Sequence, residues 1–172
     1  MVKSCFSTLK EMSKRLPVAL MGVGLGITVG LPAQASDEIY HGNFCVPNQG
    51  DITRIQRDKW GVNNTSTSNT AIVQCPFNLP FSANLRVNTV YVAVYDRNPN
   101  VNVSCTLTGV DLEGATMWER SSSSSGSSVS RQYLSFSPPS QFIATMNMTC
   151  TIPPVTSSGI SHVTTYRVMT TP

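Results

Sequence analysis

Two stretches of the chain alternate apolar and polar residues strictly enough to be read as strands on that ground alone. In Thr89 to Thr108, Val90, Val92 and Val94 share one face and Tyr91, Ala93 and Tyr95 the other, and Val101, Val103, Cys105 and Leu107 then alternate with Asn102, Ser104, Thr106 and Thr108. Between the two runs, Asp96-Arg97-Asn98-Pro99-Asn100 supplies residues that bond their own backbone, and a proline that cannot donate to a ladder. The pattern predicts a β-hairpin at the centre of the fold. In Gln141 to Ile152, Phe142, Ala144, Met146, Met148, Cys150 and Ile152 alternate with Thr145, Asn147, Thr149 and Thr151, and Pro153-Pro154 stops the run.

Weaker signals complete the pattern. Ser36 to Cys45 reads as a short edge strand, and Asp51 to Trp60 as strand or helical turn with Arg54, Arg57, Asp58 and Lys59 solvated. Gly61 to Asn64 opens a polar run, and Thr70 to Pro76 is a strand carrying Cys75. Asn78 to Asn88 is a connection with partial strand character. Gly109 to Arg120 holds a turn at Asp111-Leu112-Glu113-Gly114 followed by strand through Met117 and Trp118. Ser121 to Ser128 is low-complexity and is expected to be a mobile loop tip inside one domain. Ser130 to Phe136 resumes the strand pattern, and a last strand covers about His162 to Thr170, where Val163, Tyr166 and Val168 are less regularly spaced. No segment of the mature chain sustains a helical period. Short strands with turn signals at such spacings predict an all-β fold, an antiparallel β-sandwich of about eight strands, with a small β-barrel as the alternative closure.

Residues 1–35 stand apart. Lys3, Lys10, Lys14 and Arg15 precede the apolar, glycine-rich Leu16 to Leu31, and Ala33-Gln34-Ala35 forms a small-x-small cleavage site. This is read as a cleaved signal peptide, shorter and richer in glycine than a membrane span of about 20 residues, leaving residues 36–172 as one secreted or periplasmic domain with no stable membrane anchor. The reading changes the charge. Four of the 12 bases and one of the 9 acids leave with the leader, so eight of each remain and the mature chain is neutral. A basic surface for nucleic acid therefore loses its support. The remaining surface is rich in Ser, Thr and Asn, as suits an extracytoplasmic β-protein or a sugar-facing surface.

Chemistry is sparse. His41 and His162 lie near opposite ends of the mature chain, and no serine sits in a nucleophile motif, so a His162 dyad is a weak candidate. Asp96, Asp111, Glu113 and Glu119 could be paired for glycoside hydrolysis but read as solvated turn acids. Asp37, Glu38 and His41 are a weak metal set, and no calcium loop or phosphate-binding loop is present. Asn63, Asn64, Asn102 and Asn147 begin glycosylation sequons and read as ordinary polar residues. No catalytic residue, metal site or cofactor is expected. Trp60, Tyr91 and Tyr95 are the aromatics to test for stacking against a ligand, with a glycan or cell-surface partner in view, although core or inter-strand packing is the role expected first of each. The function expected is that of a non-catalytic surface or binding module, with a carbohydrate-binding module and a hydrolase as alternatives.

Several short motifs combine into a resemblance: Cys45-Val46-Pro47, Gly61-Val62-Asn63-Asn64, Cys75-Pro76, Tyr95-Asp96-Arg97-Asn98, Val103-Ser104-Cys105-Thr106-Leu107, Leu134-Ser135-Phe136, Ile152-Pro153-Pro154 and Tyr166-Arg167-Val168. Over nearly all of its mature length the chain resembles a family of small secreted bacterial β-proteins with four mature cysteines. The motifs are structural, and the resemblance carries over no catalytic or binding residue.

Cys45, Cys75, Cys105 and Cys150 are an even set without a CxxC pair, which favours disulfides over zinc in an oxidising compartment. Of three connectivities, the pattern favours Cys105 with Cys150, both on apolar strand faces and able to meet across the sandwich, and Cys45 with Cys75 by elimination. Non-reducing peptide mapping should return a Cys105–Cys150 peptide; a Cys45–Cys105 peptide would overturn the assignment.

Overall fold

The computed structural model describes residues 36–79, 86–139 and 144–171. The expected leader lies outside the described residues, as do part of the Asn78 to Asn88 connection and the start of the Gln141 to Ile152 run. Among these residues eleven strands, numbered in chain order, make two antiparallel sheets. One contains β1 (Asp37–His41), β3 (Ile55–Asp58), β4 (Gly61–Asn64), β6 (Arg86–Tyr95), β9 (Gln132–Phe136) and β11 (His162–Thr171). Its order is β3-β4-β11-β6-β9, with β1 also paired to β11. The other runs β2-β5-β10-β7-β8, from β2 (Val46–Pro47), β5 (Ala71–Pro76), β7 (Ser104–Val110), β8 (Thr116–Ser123) and β10 (Thr145–Ile152). The sheets share one apolar core and do not close into a barrel, so the sandwich expectation holds. Among the described residues no helix is long and apolar enough to cross a membrane.

The expected central hairpin is not one. β6 belongs to the six-stranded sheet and β7 to the five-stranded sheet, so Asp96 to Val103 crosses from one layer to the other. Alternation places Val90, Val92, Val94, Val103, Cys105 and Leu107 in one core, but an arch between sheets and a hairpin within one present the same alternation.

The disulfides are those expected, Cys45–Cys75 and Cys105–Cys150, with a different geometry. Cys105 and Cys150 face each other on neighbouring strands β7 and β10, 4.0 Å apart at Cα, so the bond lies within one sheet and not across the sandwich. Cys45 immediately precedes β2, whose Val46 pairs with Gln74, and it meets Cys75 on β5 at 4.0 Å. Both bonds pin seams of the five-stranded sheet. Closing loops of 30 and 45 residues, they stabilise by about 3.5 to 4 kcal/mol each in the chain-entropy account.

The six-stranded sheet is held by packing and by one irregularity. On β11, Val163 pairs with Val94 and Thr165 with Ala93, so Thr164 is an extra residue in the ladder, and its hydroxyl donates to the Ala93 carbonyl at 2.9 Å. A bulge of this kind shifts the side-chain parity by one. It lets Val163 on one side and Tyr166 and Val168 on the other all face the core, while Thr165 and Arg167 stay outside. The three-residue step from Val163 to Tyr166 is the trace of this bulge in the sequence. A Cβ on Gly42 or on Gly61 would lie 2.1 or 2.2 Å from the Val163 carbonyl oxygen, so both positions require glycine. Beyond the bulge, the Tyr166 hydroxyl donates to the Pro76 carbonyl of the opposite sheet at 2.8 Å, and its ring stacks on Tyr40 and meets Phe77 edge-on. Burial, with Tyr40 beside it, pushes the Tyr166 phenol up to about 12.

Polar residues read from the sequence as solvated are instead internal braces. Asp96 is fully buried, whereas the sequence reading made it a solvated turn acid. Its Oδ1 accepts from the Asn98 N–H at 3.0 Å and the Ser161 hydroxyl at 3.3 Å; its Oδ2 accepts from the Val103 N–H at 3.2 Å and the Ser124 hydroxyl at 2.5 Å. One carboxyl group thus binds the arch after β6, the approach to β11 and the end of β8. The serine run corrects a second expectation. Ser121 to Ser123 extend β8, and Ser124 is buried, with its N–H on the Val103 carbonyl, because Asp96 supplies the partner that a serine needs to be buried. Asn64, expected in a polar run, is a buried strand residue. Its amide donates to the carbonyls of Asn69, Ile152 and Pro153, tying β4 to the end of β10.

Replacing Asp96 with Ala leaves four donors facing a void, and unsatisfied buried groups cost about 1 to 3 kcal/mol each. Urea denaturation of Asp96→Ala should show a loss of about 3 kcal/mol or more, and Asp96→Asn, which keeps one acceptor, a smaller one. A loss below about 1 kcal/mol for the alanine variant would show that the hub does not hold the sheets together.

Candidate binding face

The outer face of the six-stranded sheet gathers the aromatics that the core excludes. Cross-strand register arranges its side chains in rows. Tyr95 pairs with His162, and Arg131 directly precedes β9 alongside it. Tyr133, Ala93, Thr165 and His41 form the next row, and Ser135, Tyr91, Arg167 and Ile39 the one after. Residues two apart on a strand share a face, so Tyr91, Ala93 and Tyr95 stand together on β6. The small Ala93 between two tyrosines leaves a hollow.

That hollow is the floor of a groove of about 550 Å³, walled by Tyr91, Tyr133 and Ile39 and flanked by Arg131 and Arg167. A second groove, about 420 Å³, is lined by Trp60, Tyr95, Arg97, Ile160 and His162. Tyr95 connects the two: its ring lines the second groove and carries the Arg131 guanidinium 5.7 Å from its centroid. Trp60 occupies the tight turn between β3 and β4, where Asp58 pairs with Gly61. The Asp58 carboxyl holds that turn through the Trp60 N–H at 2.7 Å, and Lys59 lies 5.2 Å from the indole centroid. The indole is half exposed, at 52%, and the Tyr133 ring more so, at 65%.

All three aromatics singled out in the sequence, Trp60, Tyr91 and Tyr95, therefore lie on this one face. Tyr133, Arg131, Arg97 and Ile39 were not singled out. Tyr133 had a legible signal, since Leu134 and Phe136 flank it in alternation and must turn inward. Arg131 shared that signal, two residues before Tyr133 on the same parity, while Arg97 had none, because only the folding of its loop brings it to the groove.

The other sequence candidates do not converge. His162 offers its Nε2 to Asp58 at 3.3 Å and its Nδ1 to the Ile160 carbonyl at 3.1 Å, so both ring nitrogens face oxygen acceptors and neither is turned to a serine. Asp111 caps its own turn through the Glu113 and Ala115 N–H groups, Glu119 is exposed on β8, and Asp96 is buried. Asp37 is engaged with Arg167 through two hydrogen bonds, and the His41 Nδ1 accepts from the Asn43 N–H. Among the described residues no group of three His, Cys, Asp or Glu is placed to hold a metal ion. Arg57, read as solvated, donates to the carbonyls of Asn43 and Cys45.

No family model matches the chain, and no curated protein matches it. Among solved structures it is similar to a carbohydrate-binding module, CBM36, in complex with calcium and xylotriose, at 10% identity and a TM-score of 0.44, over 76% of this chain and 98% of that one. It is also similar to the enzymatically active domain of bacteriophage CBA120 tailspike protein 4, at 5% identity and TM-score 0.40, over 78% of this chain and 18% of that one. A third similarity is to infectious bursal disease virus, Gx strain, at 9% identity and TM-score 0.41, over 90% of this chain and 36% of that one. Likenesses this distant assign no site.

The turn that presents Trp60 is held by a carboxyl group whose surroundings favour its ionised form. Burial opposes ionisation of Asp58, but the Trp60 N–H, His162 and the Gly61 N–H outweigh it and hold its pKa below 3.8. A carboxyl whose native pKa is lowered contributes stability that is complete above its unfolded pKa and is lost as pH falls through the native value. Asp37, lowered by its hydrogen bond from Arg167, acts with the same sign. Asp58→Asn should therefore be less stable than wild type near neutrality and lose less stability between about pH 5 and pH 2. Parallel curves in denaturant titrations would remove Asp58 from the account.

Proposed function

We propose that this protein is a secreted, non-catalytic binding module that holds a carbohydrate on the outer face of its six-stranded sheet. The observation that carries the reading is the convergence of Trp60, Tyr91, Tyr95 and Tyr133 on one sheet face, around two connected grooves. An aromatic ring offers a flat apolar surface with a polar edge, suited to a sugar ring whose C–H groups cover one face and whose hydroxyls point sideways. Strands β6 and β9 hold the three tyrosines and a tight turn braced by Asp58 holds Trp60, an ordered backbone that limits the entropy lost on binding. Thr165 in the first groove and Ser135 in the adjoining row can meet hydroxyls directly or through water. The two disulfides, the leader and the resemblance to small secreted bacterial β-proteins support an extracytoplasmic location.

A glycan array probed with the purified protein should give binding to at least one glycan class. Trp60→Ala and Tyr91→Ala should each weaken it about tenfold, or about 1.4 kcal/mol, with thermal unfolding little changed. Silence across a broad array, or binding that survives loss of both rings, would refute the proposal.

A further inference from the structure

Resting on that reading, we infer that the glycan is anionic: a polymer whose sugars carry carboxylate or sulfate groups. The mature chain is neutral, yet its charges are unevenly placed. Lys59, Arg97, Arg131 and Arg167 line or border the two grooves. The acids on the same face, Asp37 and Asp58, are engaged with Arg167 and His162. Glu38 of β1 stands opposite the core residue Val168, on the inward parity, Asp111, Glu113 and Glu119 belong to the other sheet and its β7–β8 turn, Asp51 pairs with Arg54, and Asp96 is buried. Among the described residues neither Arg97 nor Arg131 forms an ion pair, and residues 80–85 and 140–143 contain no acid.

Arg97 gives its Nε to the Ser158 carbonyl at 2.8 Å and Arg131 lies over the Tyr95 ring, and neither has a carboxylate partner among the described residues. A neutral sugar's hydroxyls are met as well by amides and hydroxyls, which this chain has in plenty. A guanidinium matches a carboxylate or sulfate with two parallel hydrogen bonds, and beside apolar rings such a pair is less screened than in open water. The spacing points to a polymer. Arg131 and Arg167 stand on opposite sides of the first groove, separated by two strand intervals of about 4.8 Å across the sheet and by rows four residues apart along it, about 13 Å. Arg97 continues the series in the second groove beside Trp60. Asp37 already holds Arg167, so a chain carrying repeated charges engages Arg131 and then Arg97, as one small anion cannot.

Calorimetry on the disulfide-intact protein, with an oligogalacturonate, a sulfated heparin-derived oligosaccharide, a neutral cello-oligosaccharide and an oligothymidylate of similar length, tests this. At least one acidic sugar should bind tenfold or more tighter than the neutral one, and binding should weaken as salt rises. Arg131→Gln and Arg97→Gln should each lower acidic-sugar affinity about tenfold, while Arg120→Gln, on β8 of the other sheet, should not. Equal affinity for neutral and acidic sugars would overturn the inference and leave the carbohydrate reading intact; no sugar bound at all would overturn both. Oligothymidylate bound more tightly than any sugar would replace the glycan with a nucleic acid.

Discussion

The structure depends on a buried carboxyl group. Asp96 directly follows β6, and from there the chain must cross from one sheet to the other through a segment whose backbone N–H groups do not join either ladder. The tip of this crossing is exposed, but Asp96, Asn98 and Val103 are buried, and buried backbone is tolerated only where its polar groups find partners. Asp96 supplies them, accepting from the arch itself through Asn98 and Val103 and from two distant segments through Ser161 and Ser124. Asn98 extends the arrangement, with its side-chain oxygen on the Asn100 and Val101 N–H groups and its amide on the Pro154 carbonyl. Hydrophobic burial is non-directional and would bring the sheets together in many ways; these directional bonds select one.

The two sheets are stabilised differently. The five-stranded sheet is cross-linked at β2–β5 and at β7–β10 by disulfides between facing residues. The six-stranded sheet has no covalent tie among its described residues and depends on close approach: the Thr164 bulge, two glycines against the Val163 carbonyl, and the stacked Tyr40, Tyr166 and Phe77. The face proposed to bind ligand is on this second sheet. Its precision derives from the bulge, because one residue fewer on β11 would exchange Arg167 and Thr165 with the core residues between them.

Aromatic and cationic groups on that face follow from the same constraint. The inner face of β6 is taken by valines, so its tyrosines must point outward, and β9 repeats the arrangement with Leu134 and Phe136 inside and Tyr133 outside. The groove is therefore a by-product of core alternation that the small Ala93 leaves open. Arg167 stands on β11, whereas Arg97 comes from the arch after β6 and Arg131 from the residue before β9, and the placement of Arg97 is the part of the site most sensitive to the tertiary fold.

Alternation along the chain determined by itself which residues of β6, β7 and β10 enter the core, and with that the all-β class and the outward orientation of Tyr91 and Tyr95. The even set of cysteines on apolar faces determined that disulfides form and favoured their pairing. These are local properties, since strand parity and burial preference act between near neighbours in sequence. Whether the stretch around Asp96 joins strands of one sheet or of two, and whether Cys105 meets Cys150 within a sheet or across it, was decided only by the tertiary structure. Parity says which face a residue takes and nothing about which strand lies beside it. The same holds for Asp96, Ser124 and Asn64, whose polarity marks them as surface residues until partners from segments far along the chain make their burial favourable.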